Sequence, residues 1–329
     1  MSSHLGLKKM SEIYDLAQIK AVLENIDALS AVEEGFIAYS KGRVVVPPVG
    51  EMLFDCPPGD VHIKYGYILG DEYYVIKIAS GFYENVKLKL PTCTGLMLVF
   101  MQITGELACI LLDEGHLTNV RTAAAGAVVA KYLAPKNVRR IGIIGAGTQG
   151  RMQLEYLKPI VDCRDVVVWG MDQEELEAYK KDMEPFGFNI QTTLDTDEIA
   201  SSCNLIVTAT PSKTPLLKVE KIRKGTHITA MGSDTPEKNE LEPEILRNAD
   251  VVVADSISQC QSRGEISVAL KAGLIEEKNL FELGNIIQDE KLQRSSDEQT
   301  TVADLTGVAV QDIQISKAVY EALALKKNQ

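Results

Sequence analysis

A glycine loop after an apolar strand most constrains the fold of this chain. Arg140–Ile144 is predicted to form a buried strand, and Gly145-x-Gly147-x-x-Gly150 follows it directly, entering a helix predicted over Thr148–Pro159. In this fingerprint the first glycine makes the tight turn, the second lets the backbone approach a pyrophosphate, and the helix N-terminus attracts the anion. Strand, loop and helix in this order predict a dinucleotide-binding site, although a tight turn in a sheet without a cofactor would also carry such glycines.

The region around and after this loop alternates strands with helices, which is typical of a parallel doubly wound sheet. Predicted strands lie at Arg140–Ile144, Val166–Trp169, Asn189–Thr192, Leu205–Thr208, His227–Ala230 and Val251–Val253. Predicted helices lie at Thr148–Pro159, Gln173–Met183, Asp197–Ser201 and Pro243–Arg247, with helical pieces near Ile257–Ala272 and Asn279–Ile287. We therefore predict a Rossmann-type α/β domain over residues 126–307.

The region before the loop has a different pattern, in which two amphipathic helices precede six strands with tight turns. After a loose arm over residues 1–11, the predicted helices cover Asp15–Glu24 and Asp27–Lys41. The predicted strands are Val44–Pro47, Met52–Phe54, Val61–Ile68, Tyr73–Ile78, Leu96–Met101 and Leu107–Leu112. They predict a mostly antiparallel or mixed sheet in an α+β domain over residues 1–125. An amphipathic last helix, Val308–Ala324, is expected to pack back on this domain, which would then include residues 308–329.

Composition excludes several classes of function. A net charge of −12 at pH 7 argues against nucleic acid and anionic membranes as partners. No apolar run approaches the roughly 20 residues of a membrane helix, and the N-terminus lacks the apolar core of a signal peptide. The six cysteines form no CxxC pair and are expected to be reduced core thiols, while the four histidines have no metal-ligand spacing. We expect a soluble, cytoplasmic protein without a metal site.

Charged residues inside apolar sequence are the candidate binding groups. Lys77 and Lys64 each interrupt a predicted strand that is otherwise apolar. Arg121 lies in the first turn of an Ala-rich helix predicted over Thr118–Leu133, and Arg43 starts the first predicted strand. A cluster of such cations would hold a carboxylate. Each of them could also be an edge or surface charge whose stem covers apolar surface.

Two acidic residues follow predicted strands of the Rossmann-type region. Asp172 comes soon after the second strand, where an acid accepts a hydrogen bond from the ribose 2′-hydroxyl of NAD; it could also cap the next helix. No Lys or Arg occupies residues 169–172 to hold a 2′-phosphate, so NAD is favoured over NADP. Asp234 lies just beyond the carboxyl end of a strand, where ligands bind in such sheets. A turn before Pro236 would also explain it.

Several motifs follow one another along the chain in a familiar order. They are Lys77 with Asn85, Leu90-Pro-Thr92, Leu117-Thr-x-x-Arg121-Thr-Ala-Ala-Ala, Gly145-Ala-Gly-Thr-Gln149, Thr208-Ala-Thr210-Pro-Ser and Gly232-Ser-Asp234-x-Pro. This series resembles the ornithine cyclodeaminase/mu-crystallin family from about Arg43 to the last helix. The resemblance implies that the first domain binds substrate and forms homodimers by joining sheets, and that the second domain binds NAD or NADP.

The resemblance also implies roles for single residues. Arg43, Lys77 and Arg121 match carboxylate-binding cations, Asp234 matches the catalytic acid/base, and Lys238 matches a lysine near the site; Lys77 and Asp234 are thus the predicted catalytic residues. Thr92, Thr148, Gln149, Thr210 and Met231 match cofactor-contacting positions. With them we predict as cofactor-binding Arg121, Gly145, Gly147 and Asp172.

Lys64 departs from the family's pattern. When the sequence is aligned on Lys77, the family's cyclodeaminases carry a glutamate at this position, suited to the second amino group of their substrate. A lysine facing an ammonium group in a shielded site would be repelled by about 1 kcal/mol or more. We therefore add Lys64 to the predicted substrate-binding residues, and we favour a substrate whose side chain is neutral or acidic over ornithine.

The reaction implied by the resemblance is hydride transfer between the α-carbon of an amino acid and a nicotinamide ring. Arg43, Lys77 and Arg121 would orient the carboxylate, and Asp234 would handle the proton. We predict an NAD(H)-dependent amino-acid dehydrogenase or imino-acid reductase. The alternatives are an ornithine cyclodeaminase, which is an ammonia lyase with recycled NAD, and a non-catalytic binding protein of the mu-crystallin type.

Overall fold

A computed structural model describes residues 12–327, the side chain of Tyr83 excepted. The predicted loose arm over residues 1–11 lies outside the described residues. In chain order the helices are α1 (Leu16–Leu23), α2 (Ala28–Ser40), α3 (His116–Leu133), α4 (Thr148–Leu157), α5 (Gln173–Met183), α6 (Thr196–Ser202), α7 (Pro243–Asn248), α8 (Ile257–Cys260), α9 (Gly264–Lys271), α10 (Leu283–Gln288) and α11 (Ala309–Lys327).

The strands complete the framework and form two sheets. They are β1 (Glu12–Tyr14), β2 (Val44–Val45), β3 (Gly50–Asp55), β4 (Pro58–Ile68), β5 (Tyr73–Gly81), β6 (Cys93–Met101), β7 (Leu107–Leu111), β8 (Ile141–Ile144), β9 (Asp165–Trp169), β10 (Asn189–Thr193), β11 (Leu205–Thr208), β12 (His227–Ala230), β13 (Val251–Ala254), β14 (Leu280–Glu282) and β15 (Thr301–Asp304). Strands β1–β7 form one sheet, and strands β8–β15 form the other.

The first sheet is mixed, as predicted. Its order is β1-β7-β6-β5-β4-β2, with β3 also paired to β4; β1 runs parallel to β7 and the other pairs are antiparallel. Alternate residues of β5, such as Val75 and Lys77, are buried because side chains of a strand point to opposite faces in turn. The ring of Tyr320 on α11 packs edge-on against Tyr73, so α11 covers part of this buried face.

The second sheet confirms the predicted Rossmann-type fold. Its order is β10-β9-β8-β11-β12-β15-β13-β14, and every pair is parallel. All residues of β8, β11, β12 and β13 are buried. Strands covered on both faces are continuous apolar runs, which is why the sequence showed them so clearly.

Three strands of the structure were missing from the prediction. Strand β15 lies between β12 and β13 inside the second sheet, but only Val302 and Ala303 of its four residues are apolar. Strand β14 occupies part of a segment predicted to be helical, and β1 pairs at the edge of the first sheet. Such short strands carry too few residues to display a periodicity, so pairing partners decide their conformation.

Two expectations about burial were wrong. The last helix is not amphipathic throughout, because residues 309–316 are all buried, including Gln311 and Asp312. The polar side chains of this segment therefore do not mark a solvent-exposed face of the helix. The cysteines are not all core thiols either: Cys109, Cys203 and Cys260 are buried, but Cys56 and Cys93 are exposed and Cys163 is intermediate; all six are free.

The chain divides into two compact units along boundaries that differ from the predicted ones. The first comprises described residues up to Asp27, Val44–Leu117 and those from Asp312; the second comprises Ala28–Arg43 and Thr118–Gln311. Helix α2 therefore belongs to the second unit, because it packs on α10. A Cβ on Gly284 would lie 2.1 Å from the carbonyl oxygen of Phe36, and Ser40 Oγ donates to Glu282 Oε2 at 3.0 Å.

Two features are absent from residues 12–327. No helix in this range is long and apolar enough to cross a membrane. No group of three or more His, Cys, Asp and Glu side chains in the same range is arranged to hold a metal ion.

Candidate functional site

The glycine loop between β8 and α4 has the geometry of a dinucleotide cradle. Gly145 has a φ of +112°, and a Cβ on it would lie 2.7 Å from the carbonyl oxygen of Ala209. A Cβ on Gly150 would lie 2.0 Å from the carbonyl oxygen of Gly145, whereas one on Gly147 would meet no described atom within 4 Å. The first and third glycines are therefore required by packing, and the second leaves open space at the N-terminus of α4. These residues fit a pyrophosphate group.

A cavity of about 530 Å³ opens at this loop. It is lined by residues 145–147, by Trp169 at the end of β9 with the two residues that follow it, by Glu175 of α5, and by residues 209–212 and 216 after β11. Of the predicted cofactor-binding residues, the structure brings Gly145, Gly147 and Thr210 together here. The position is the carboxyl end of a parallel sheet, where such folds bind ligands.

Other predicted cofactor-binding residues of the second unit lie near the cavity without lining it. Thr148 is the first residue of α4, and Gln149 Nε2 donates to Asn119 Oδ1 at 3.0 Å. Met231 is buried at the end of β12. Asp172 is exposed and caps α5, where its Oδ1 accepts from the backbone N–H of Glu175 at 2.8 Å. The structure thus shows Asp172 as a helix cap, and its contact with the ribose stays a prediction.

A buried carboxylate that the sequence analysis did not identify joins the ends of β11 and β12. Glu240 accepts hydrogen bonds from Thr208 Oγ1, from both the N–H and Oγ1 of Thr210 at 2.7 Å, and from the N–H of Gly232 at 3.0 Å. Burial raises the pKa of Glu240, and these donors oppose the rise. Glu240 thereby fixes Thr210 at the cavity and the start of the loop that follows β12. The only signal in the sequence was one acid before Leu241.

Two more buried acids lie behind Glu240. Glu265 accepts from the backbone N–H groups of Glu240 at 2.7 Å and Leu241 at 3.1 Å, and burial raises its pKa to about 7. Asp304 Oδ2 accepts from the N–H of Ile266 at 2.8 Å, and burial together with the charge of Glu265 raises the pKa of Asp304. We call Glu240, Glu265 and Asp304 the acid cluster.

The loop that Glu240 anchors carries Asp234 and Lys238, which the structure brings together. Lys238 Nζ lies 2.6 Å from Asp234 Oδ1. The Asp234 side chain is 48% exposed, while that of Lys238 is largely shielded. An accessible carboxylate beside an ammonium group can hold a proton for a bound molecule or take one from it.

In the first unit, the structure brings Lys64 and Lys77 together. They are directly opposite each other on β4 and β5, and their exposures are 8% and 3%. Two like charges at opposed positions of a sheet are destabilising by themselves. Because both lysines are buried and neither β4 nor β5 is an edge strand, the interpretation of these lysines as edge or surface charges is wrong.

Two buried carboxylates accompany this pair. Lys77 Nζ lies 3.3 Å from Asp312 Oδ1. Asp113 Oδ2 accepts from the N–H of Leu117 at 2.8 Å, and its Oδ1 has no hydrogen-bond partner among the described residues. Burial raises the pKa of Asp113, although the charge of Lys77 opposes this. We call Lys64, Lys77, Asp113 and Asp312 the mixed-charge cluster; an acid after the apolar run of β7 was the available signal for Asp113.

Three more predicted site residues are Arg121, Arg43 and Thr92. Arg121 is buried in the second unit, where its Nη1 donates to Gln311 Oε1 at 3.0 Å. Arg43 follows α2 in the second unit and is exposed. Thr92 lies in the first unit, half-buried, with its carbonyl oxygen accepting from the N–H of Phe82. Their predicted roles stay predictions.

Comparison with known proteins places this geometry in context. The model of the ornithine cyclodeaminase/mu-crystallin family matches residues 10–327. An uncharacterized cyclodeaminase of Sinorhizobium fredii is 38% identical over 300 residues, which cover 90% of this chain and 91% of that protein. The structure of an archaeal alanine dehydrogenase dimer with bound NAD is 34% identical with a TM-score of 0.86, covering 97% of each chain.

A third relative extends the range of chemistry. The structure of the iminosuccinate reductase of Paracoccus denitrificans in complex with NAD⁺ has a TM-score of 0.88 at 29% identity, covering 96% of this chain and 97% of the other. The family match spans nearly all of the chain, including the glycine loop, the Asp234 loop and both lysine-bearing strands. This chain therefore belongs to the ornithine cyclodeaminase/mu-crystallin family.

Proposed function

We propose that this chain is an NAD-dependent oxidoreductase that interconverts an amino acid and its imino acid, with a substrate whose side chain is neutral or acidic. One observation carries the substrate class: Lys64 lies directly opposite Lys77 on a buried sheet face. A substrate carboxylate held by Lys77 would bring its side chain toward a second cation. That cation repels an ammonium group and attracts a carboxylate.

The glycine loop of the second unit supports NAD as the cofactor. When bound, NADH supplies the hydride that reduces the imine carbon. The glycine loop would hold the pyrophosphate, because Gly147 leaves open space at the N-terminus of α4. The relatives whose structures contain NAD share this fold over nearly their whole length.

The chain's own residues would bind the substrate and move its proton. Lys77, with Arg121 and Arg43 as further predicted cations, would hold the α-carboxylate. Asp234 would deliver a proton to the substrate nitrogen in reduction and take one from the ammonium group in oxidation. Lys238 Nζ, at 2.6 Å from Asp234 Oδ1, would hold this carboxylate in place as its ion-pair partner.

The decisive experiment compares substrates while following NADH absorbance and ammonia together. We expect net NADH oxidation with pyruvate plus ammonia or with oxaloacetate plus ammonia, and no activity with ornithine. Ammonia release from ornithine without a net change in NADH would instead identify a cyclodeaminase. Binding of small apolar ligands without any turnover would identify a binding protein of the mu-crystallin type.

The Asp234→Asn variant tests the proton role. We expect turnover to be abolished, while the Kd for NADH stays within about threefold of the parent, a change below 1 kcal/mol. The matched control is Glu237→Gln, an exposed acid of the same loop that pairs with Lys213. Loss of NADH binding in the Asp234 variant would remove the assignment.

The proposal includes a homodimer formed through the first sheet. Strand β3 is an edge strand, and its Met52, Leu53 and Phe54 are 49%, 76% and 43% exposed. An apolar edge strand favours pairing with another chain, and the archaeal relative is described as a dimer. Light scattering should show a dimer that Leu53→Asp dissociates, whereas Ile103→Asp, at an exposed turn, should leave it intact. A monomeric parent would contradict this.

A further inference from the structure

The end of β9 lacks the side chain that a dinucleotide site usually uses there. In such sheets an acid after the second strand accepts hydrogen bonds from the adenosine ribose. Gly170 occupies that place and lines the cavity. A Cβ on Gly170 would lie 3.3 Å from Glu175 Oε2 and 3.1 Å from Leu176 Cδ2. The carboxylate of Glu175, in the first turn of α5, therefore occupies the space beside Gly170.

The start of α5 explains why Glu175 takes this place and Asp172 does not. The Asp172 carboxylate is engaged at the helix N-terminus, where it accepts from the N–H of Glu175 at 2.8 Å. That cap fixes the first turn of α5, and Glu175 is the residue of this turn that lines the cavity. The positive end of the helix dipole interacts favourably with a carboxylate in the first turn.

The charges around the cavity have one sign. Among the described residues, those that line it include one carboxylate, Glu175, and no Lys or Arg. Arg151 of α4 does not line the cavity: its Nε lies 2.9 Å from Asp182 Oδ2, its guanidinium lies over the ring of Tyr179, and its Nη1 donates to the carbonyl oxygen of Ala146 in the glycine loop. A doubly charged 2′-phosphate would meet a carboxylate here without a compensating cation.

We propose that Glu175 determines the preference of this chain for NAD over NADP, by accepting a hydrogen bond from the ribose 2′-hydroxyl and repelling a 2′-phosphate. This inference rests on the proposed function, because it requires that the cavity binds a dinucleotide. It replaces Asp172 as the ribose-binding acid. It also requires that Gly170 remain small, since a side chain there would displace the Glu175 carboxylate.

Binding measurements test this without reference to turnover. The chain has a single tryptophan, Trp169, which lines the cavity, so quenching of its fluorescence gives the Kd of NADH and of NADPH directly. We expect the parent to bind NADH more tightly. In Glu175→Gln the Kd of NADH should rise about tenfold, because the hydrogen bond from the ribose loses its charged acceptor. The Kd of NADPH should fall. The ratio of the NADPH Kd to the NADH Kd should therefore decrease by about 30-fold or more.

Two matched variants separate the neighbouring acids. Asp172→Ser keeps a helix-capping oxygen but removes the charge, and Glu174→Gln removes an exposed charge in the same turn. Both should leave the ratio of the Kd values within about twofold of the parent, a change under 0.5 kcal/mol. Thermal unfolding of each variant verifies that α5 is intact.

The possible failures are distinguishable. If Asp172→Ser narrows the ratio and Glu175→Gln does not, Asp172 is the ribose-binding acid and the inference is wrong. If the parent binds NADH and NADPH equally, the inferred preference for NAD over NADP is wrong, while the proposed function stands. If the parent binds neither nucleotide, the proposed function fails, and the role of Glu175 fails with it.

Discussion

The two units of this molecule bury charge in opposite ways. In the mixed-charge cluster of the first unit, two lysines lie opposite each other on neighbouring strands, and two carboxylates accompany them. The acid cluster of the second unit contains carboxylates only, and backbone N–H groups and threonine hydroxyls compensate them. A carboxylate surrounded by fixed donors is a structural tie between segments. Two lysines placed opposite each other on a sheet are unfavourable by themselves, and we propose that they are kept there to bind substrate.

Changes in the mixed-charge cluster should affect turnover more than stability once buried charges are balanced, and changes in the acid cluster should affect stability more than turnover. The following variants test this from the largest expected effect to the smallest.

Replacing Lys77 should have the largest effect. We expect Lys77→Met to lower kcat/KM by about 10³ or more, equivalent to about 4 kcal/mol of transition-state binding. It should also destabilise the protein, because it removes the ion pair between Lys77 and the buried Asp312 carboxylate. Lys77→Met combined with Asp312→Asn should recover the stability and not the activity. Recovery of both would mean that Lys77 is structural, and the comparison would fail.

Glu265 should give the stability a pH dependence. Its pKa in the folded protein is about 7, against 4.5 in its ordinary state, so the folded protein retains a proton longer than the unfolded chain. The free energy of unfolding should therefore fall as pH rises from about 4.5 to about 7, by up to about 3 kcal/mol from this group. Urea unfolding at several pH values should show a flatter profile for Glu265→Gln. An unchanged profile would exclude Glu265 as the titrating group.

Glu240 tests whether the acid cluster is a structural tie. The Glu240→Gln variant keeps the shape but places an amide N–H₂ against one pair of donors, from Thr208 and Gly232 or from Thr210. We expect a loss of about 2 kcal/mol in the free energy of unfolding, from donors left unsatisfied in the interior. The control, Glu244→Gln on the nearby α7, should change it by less than about 0.5 kcal/mol. Full stability combined with lost turnover would assign the acid cluster to function instead.

Lys64 should produce the smallest and most specific effect. We expect Lys64→Glu to raise kcat/KM toward diamino acids about tenfold, or about 1.4 kcal/mol, and to lower it toward dicarboxylic substrates by a similar factor. Lys64→Met should lose the preference for an acidic side chain without gaining one for a diamino acid. If neither variant changes the substrate preference, Lys64 does not face the substrate, and not every cation of the mixed-charge cluster serves in binding.

The sequence by itself determined those features that depend on neighbouring residues. The glycine loop is local, since strand, turn and helix follow one another and each signal agrees with the next. Parallel strands buried on both faces appear as apolar runs, and Lys64 and Lys77 were visible because each breaks a strand that is otherwise apolar. These features gave the fold class and the family, and both are confirmed.

Only the tertiary structure decided which distant residues meet. Glu240 binds threonines about 30 residues earlier, Asp304 binds an N–H 38 residues away, and β15 is inserted between strands that precede it. The register that opposes Lys64 to Lys77 and the packing that brings Glu175 beside Gly170 likewise depend on three-dimensional contacts. A buried charge is tolerated only when its partners are in place. Because most of those partners are remote in sequence, no local pattern could separate the cations that we assign to binding from the acids that hold the fold together.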